Sequence, residues 1–163
     1  NEPIDLVARL NECGVVLDTC NMTGVANYTF QNTRVTTIPT LNLSGGTRME
    51  STLEGSVVEV IEKLILQTDK SKQEFKRTFN NCSNLREIRI ENQFGQTVSF
   101  EHSPHLSVES LRSILTALTK DTAYASGKTL TLNSASQATV ETDSECSTQL
   151  ASAVNAGWAI SYI

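Results

Sequence analysis

Glu101, His102, Ser103, Pro104 and His105 form the one segment where imidazole and carboxylate groups cluster, and the two histidines are the only ones in the chain. A Ser-His-Asp or Cys-His relay would therefore have to run through His102 or His105. Histidines three apart across a proline have no fixed metal geometry, and no third ligand follows, so the segment reads as a polar loop before a helix. The four cysteines, Cys13, Cys20, Cys82 and Cys146, lack Cys-x-x-Cys or Cys/His spacing. They read as free thiols behaving as small buried hydrophobes, with a Cys13–Cys20 bridge as the alternative. No glycine-rich phosphate cradle exists, and Gly45-Gly46 reads as a turn. The charge-rich stretch from Asp69 to Arg77 reads as a solvated return loop, with contact to an acidic partner as the alternative. The expectation is no catalytic residue, no cofactor and no metal.

The elements that would position any site come from an unusual composition. Seventeen Ser, 20 Thr and 12 Asn stand among 163 residues, with aromatics at 6%. That suits polar turns around narrow apolar stripes. A hydrophobic content of 39% argues against disorder, and a net charge of −5 argues against nucleic acid as a partner. No apolar run approaches the ~20 residues of a membrane span, and Asn1-Glu2-Pro3 lacks the layout of a signal peptide. The chain reads as soluble, and without an initiating Met as a processed product or a piece of something longer. The sequons at Asn21, Asn27, Asn42 and Asn81 read equally well as Asn-rich turns.

Internal repetition organises the first half. Phe30, Val35, Ile38, Leu41 and Leu43 recur 23 positions later as Leu53, Val58, Ile61, Leu64 and Leu66. A third copy runs through Phe79, Cys82, Leu85, Ile88 and Ile90 after a longer connection, and Leu17, Met22 and Val25 begin a degraded copy that echoes Leu41, Gly46 and Met49. A unit this short cannot bury its own apolar face, so copies must stack. Alternation places strands near Thr37–Leu43, Val60–Leu66 and Arg86–Ile90. Cys82, at a repeat position, is expected to be buried.

The second half changes unit. Thr97–Phe100, Thr129–Leu132 and Ala159–Ile163 read as strands about 30 residues apart. Leu106, Leu111, Ile114, Leu115 and Leu118 have helical spacing behind Ser107 as N-cap. Thr142 and Glu145 suggest a capping box for a helix that presents Cys146, Leu150, Ala153 and Val154 and ends at Gly157. At the N-terminus, Pro3 opens a helix carrying Ile4, Val7, Ala8 and Leu10, which Gly14 stops before a strand at Val15-Val16-Leu17. The organisation expected is one domain over 1–163: a helix or cap at 1–14, 23-residue repeats at 15–96 and strand-helix repeats at 97–163.

Phe79-Asn80-Asn81-Cys82-Ser83-Asn84-Leu85-Arg86-Glu87-Ile88-Arg89-Ile90 resembles the BspA-type bacterial leucine-rich repeat, with its Phe, Asn-Cys-x-x-Leu and x-x-Ile. Val35–Leu41 and Leu17–Thr23 resemble other portions of that repeat. Leu106–Leu111, Lys128–Leu132 and Gly157-Trp158 resemble the tails accompanying such repeats in gut bacteria, their phages and prophages. The resemblance covers roughly 17–163; Leu53-Glu54-Gly55-Ser56 departs from it by lacking Asn-Cys, as does the inserted Gln67–Lys72.

The resemblance implies an α/β leucine-rich-repeat solenoid with short parallel strands, irregular turns in the first half and helical turns in the second. It implies a non-enzymatic scaffold for adhesion or receptor binding, or alternatively a phage tail or virion subunit. Localisation would be extracellular, on a bacterial surface or a virion, and partners would be a host-surface receptor, other copies or other virion proteins. A terminal strand needs cover on its outer edge, so Trp158, Ile160, Tyr162 and Ile163 are the expected interaction residues.

Overall fold

Seven short strands and three helices fold into a mixed α/β structure in a computed structural model that describes residues 19–120 and 122–163. β1 (Cys20–Val25), β2 (Thr37–Arg48), β3 (Val60–Ile65) and β4 (Glu87–Glu91) form one sheet in that order, every pair parallel. β5 (Val98–Phe100), β6 (Thr129–Leu132) and β7 (Ala159–Tyr162) form a second, also parallel. Neither sheet closes into a barrel. The buried apolar residues of both sheets belong to one contiguous cluster.

Registers follow the repeated apolar positions. Ile38, Ile61 and Ile88 stand in one row, and Leu41, Leu64 and Ile90 in the next. The row through Leu64 thus ends on Ile90, because β3 and β4 slip register between Ile61 and Leu64. Leu41 and Leu64 are fully buried. Upstream, Cys20 stands opposite Leu41, which corrects the alignment of Leu17 with Leu41; two register shifts along β1 absorb the difference. Leu17 itself, Cys13 and the expected helix and strand over 1–17 lie outside the described residues.

Between strands the chain makes the same turn three times. Tyr28 and Asn32, Ser51 and Gly55, and Arg77 and Asn81 all have left-handed backbone, with φ of 61°, 56°, 53°, 67°, 58° and 55°. Successive turns hydrogen-bond through the backbone: Phe30 N–H donates to Thr52 O (2.7 Å), and Leu53 N–H to Thr78 O (3.0 Å). Gly55 departs from the Asn of the repeat for a local reason. It occupies the left-handed position that Asn32 and Asn81 hold in neighbouring turns, and a Cβ there would lie 2.4 Å from Asn32 Oδ1. Ser56 likewise stands in for Cys82, the two side chains 3.6 Å apart.

The two halves join by exchanging roles. α1 (Val108–Thr119), capped by Ser107, lies along the outer edge of β4 where a further strand would be. Ile88 N–H donates to Ser110 Oγ at 2.9 Å and Ile90 N–H to Ser113 Oγ at 2.8 Å, so serine hydroxyls replace a strand's carbonyls. On the opposite side β5 lies beside the third turn: Phe79 and Phe100 stack with centroids 4.4 Å apart, and Ser103 Oγ donates to Cys82 O (3.1 Å). Helices therefore follow on from strands, and strands from turns.

α2 (Gln137–Thr142) and α3 (Ser144–Ala156) precede β7. The capping box at Thr142 and Glu145 is not what forms. Thr142 ends α2, and Asp143 caps α3 by accepting from Cys146 N–H at 2.9 Å. Arg112 of α1 fixes that carboxylate with two donors, at 3.0 and 2.6 Å. A carboxylate held by a guanidinium outcompetes a neutral hydroxyl one residue earlier. Gly157, φ 107°, ends α3 as expected, its N–H reaching Ala153 O and Val154 O.

Candidate functional site

Three places could act on something outside the chain. The first is the loop after β5, where His102 and Glu101 are half-buried and His105 is exposed. His102 Nε2 lies 3.5 Å from Glu101 Oε1 and Nδ1 3.4 Å from Asn81 Oδ1. Ser103, the hydroxyl between the histidines, is fully buried and committed to Cys82 O. The loop brings no nucleophile to an imidazole. Among the described residues no group of three His, Cys, Asp or Glu could hold a metal ion.

Two of the three described thiols are buried. Cys82 Sγ donates to Leu53 O at 3.1 Å, and burial pushes its pKa up to about 11. Cys146 is buried at the start of α3, and burial, then the Asp143 carboxylate, push it to about 11 too. Cys20 is half-buried and free, its pKa also raised by burial.

The second place is a groove of about 380 Å³ over the outward face of β3 and β4, bounded by the first turn of α1. Glu62, Glu87 and Glu109 line it with Arg89, Ser107 and Ser110. It offers an acidic, solvent-open surface. On the opposite side Glu54, 6% exposed, binds Gln31, Arg77 and Asn80. Burial pushes its carboxyl up, but those hydrogen bonds outweigh it and hold the group below the usual range. This cluster ties three successive turns together. In the insertion, Asp69 caps a short turn at Lys70–Lys72, and buried Gln73 donates to Gln67 O and Gln93 O, both at 2.7 Å. Part of the charge-rich stretch is thus structural.

The third place is the terminal strand. Trp158 is 3% exposed and turned into the chain's own core, Ile160 and Tyr162 are half-buried against that core, and Ile163 is 66% exposed. Val154 of α3 is also exposed, at 51%. Its signal was present in the sequence: from Cys146 to Ile163 there is no Asp, Glu, Lys or Arg, the longest uncharged run in the chain. No helix among the described residues is long and apolar enough to cross a membrane.

No family model, no curated protein and no solved structure matches the chain.

Proposed function

We propose that the chain is a non-enzymatic protein-interaction scaffold, built as a leucine-rich-repeat solenoid of the BspA-like kind and acting by surface contact. One observation carries the reading: the same left-handed pair of backbone positions recurs at 28 and 32, 51 and 55, and 77 and 81, between successive parallel strands of one sheet. A turn repeated in backbone as well as in apolar pattern is the mark of stacked units, and stacked units expose long faces suited to binding. The groove over β3 and β4 lies on such a face. The partner would be a protein or host-surface receptor, and the site of action a bacterial surface or a virion.

A second reading, a structural subunit of a phage tail or virion, is favoured by the uncharged terminal strand, whose edge suits assembly. Immunogold electron microscopy of the native source material tests both. Label on cell surfaces supports the receptor-binding scaffold, label on regular particles supports the virion subunit, and label confined to the cell interior contradicts both.

A further inference from the structure

We infer that residues 67–76, the long connection between β3 and the third turn, are a strap that locks the two sheets into one rigid body, with Gln73 as its latch. The inference goes beyond the scaffold reading and does not depend on what the chain binds.

The repeats create the need for a strap. Within the first sheet each turn satisfies its backbone on the turn that follows, as Phe30 does on Thr52 and Leu53 on Thr78. After β4 that succession stops, because the chain crosses through 92–97 into β5 and starts the second sheet. Gln93, Phe94 and Gly95 of this crossing are buried, so their backbone groups must find partners inside the protein. Phe94 N–H donates to Ala117 O of α1 at 3.1 Å. The strap supplies others.

Gln73, 5% exposed, uses both ends of its amide. The nitrogen donates to Gln67 O and Gln93 O, both at 2.7 Å, and the oxygen accepts from Gly95 N–H at 2.8 Å. One side chain thereby ties the segment after β3 to the crossing. Gln96 Nε2 donates to Lys70 O at 3.1 Å, while its Oε1 accepts from Lys128 Nζ at 3.0 Å, just before β6. The Lys70 side chain packs against Gly95, where a Cβ would stand 2.4 Å from Lys70 Cβ, and sets its ammonium 5.0 Å from the centroid of Tyr124. On the core side Phe75 meets Phe94 edge-on at 5.1 Å, and Phe94 meets Phe100 of β5 at 6.4 Å. Every link runs from the strap through the crossing to the second half.

Apolar contact, as between Phe79 and Phe100, holds layers together without fixing their direction. Hydrogen bonds to buried groups fix one arrangement, because leaving them unmade carries the full cost of desolvation. Ser110 and Ser113 make one such attachment between the halves, along the edge of β4. A single attachment is a hinge. Gln73 makes a second one beyond the ends of β3 and β4, and two attachments set the angle between the sheets.

The test uses two buried thiols as reporters, Cys82 in the first half and Cys146 in the second. A short pulse of a thiol reagent on the purified full chain at rising urea, read by mass spectrometry of the peptides, gives the midpoint at which each half opens. In the wild type the two midpoints should coincide. Leu64→Ala, in the core of the first sheet away from the strap, should lower both together. Gln73→Leu, which deletes the three side-chain hydrogen bonds, should instead separate them. Gly95→Ala, whose methyl displaces Lys70, should do the same. Should neither strap variant fold, native-state hydrogen exchange of the wild type decides, since the Gly95 amide should exchange as slowly as the slowest amides of both sheets. Different midpoints in the wild type or in Leu64→Ala, a single midpoint in Gln73→Leu and Gly95→Ala, or a Gly95 amide that exchanges ahead of the sheets would each overturn the inference.

Discussion

Ser110 accepts the backbone N–H of Ile88 at 2.9 Å and donates its own hydroxyl proton to Arg86 O at 3.1 Å. One side chain on a helix thereby does for β4 what a neighbouring strand would do. Ser113 repeats the acceptor role for Ile90. Removing a hydroxyl leaves a buried N–H without a partner, so Ser110→Ala is expected to cost about 1 to 3 kcal/mol. Adding Ser113→Ala should cost more, with the loss concentrated where α1 meets β4. Urea unfolding monitored by circular dichroism measures the first, and amide exchange at Ile88 and Ile90 locates it.

Leu64→Ala is expected to destabilise by about 2 to 5 kcal/mol, the range for a deleted buried leucine. Its row neighbours are Leu41 and Ile90, so the cavity loosens contacts to both adjacent strands. A denaturation midpoint equal to that of the wild type would refute this register.

Much of this was legible in the sequence, for a physical reason. Leu41 and Leu64 share a row because burying one face of a strand forbids any other register. The α1 N-cap at Ser107 and the Gly157 stop were readable because capping depends on local chemistry. What escaped depended on contacts distant in sequence. The α3 cap is Asp143 because Arg112, on another helix, holds it. The end of the Leu64 row at Ile90 comes from the register slip between β3 and β4, and that α1 replaces a strand depends on two serines with no mark of their role. Trp158, expected among the interaction residues, is 3% exposed and belongs to the chain's own core cluster.

Gly55→Ala should be costly. It forces a side chain into left-handed backbone at φ 67° and sets a Cβ against Asn32 Oδ1, so a loss of about 1 to 2 kcal/mol or more is expected. Asn81→Gly, at the equivalent position of the next turn, should cost less. Thermal midpoints of the two variants compare them directly.

Stability should fall in alkali. Cys82 and Cys146 titrate near 11 when folded and near 8.5 when unfolded. The higher folded value means their contribution is complete below about pH 8.5 and is lost as the pH rises towards about 11. Cys82→Ala should flatten that limb of the pH–stability curve. In the native protein a thiol reagent should modify Cys20 well before Cys82 or Cys146, and mass spectrometry of the labelled peptides reads the order.

The claim that the chain is a stack of repeated units is tested most directly by hydrogen exchange at the Phe30 and Leu53 amides, which donate to Thr52 O and Thr78 O of the next turn. Both should be protected, and the protection of both should fall together in Leu64→Ala. Exchange of both at the rate of exposed amides, in a chain otherwise protected throughout its two sheets, would contradict the account.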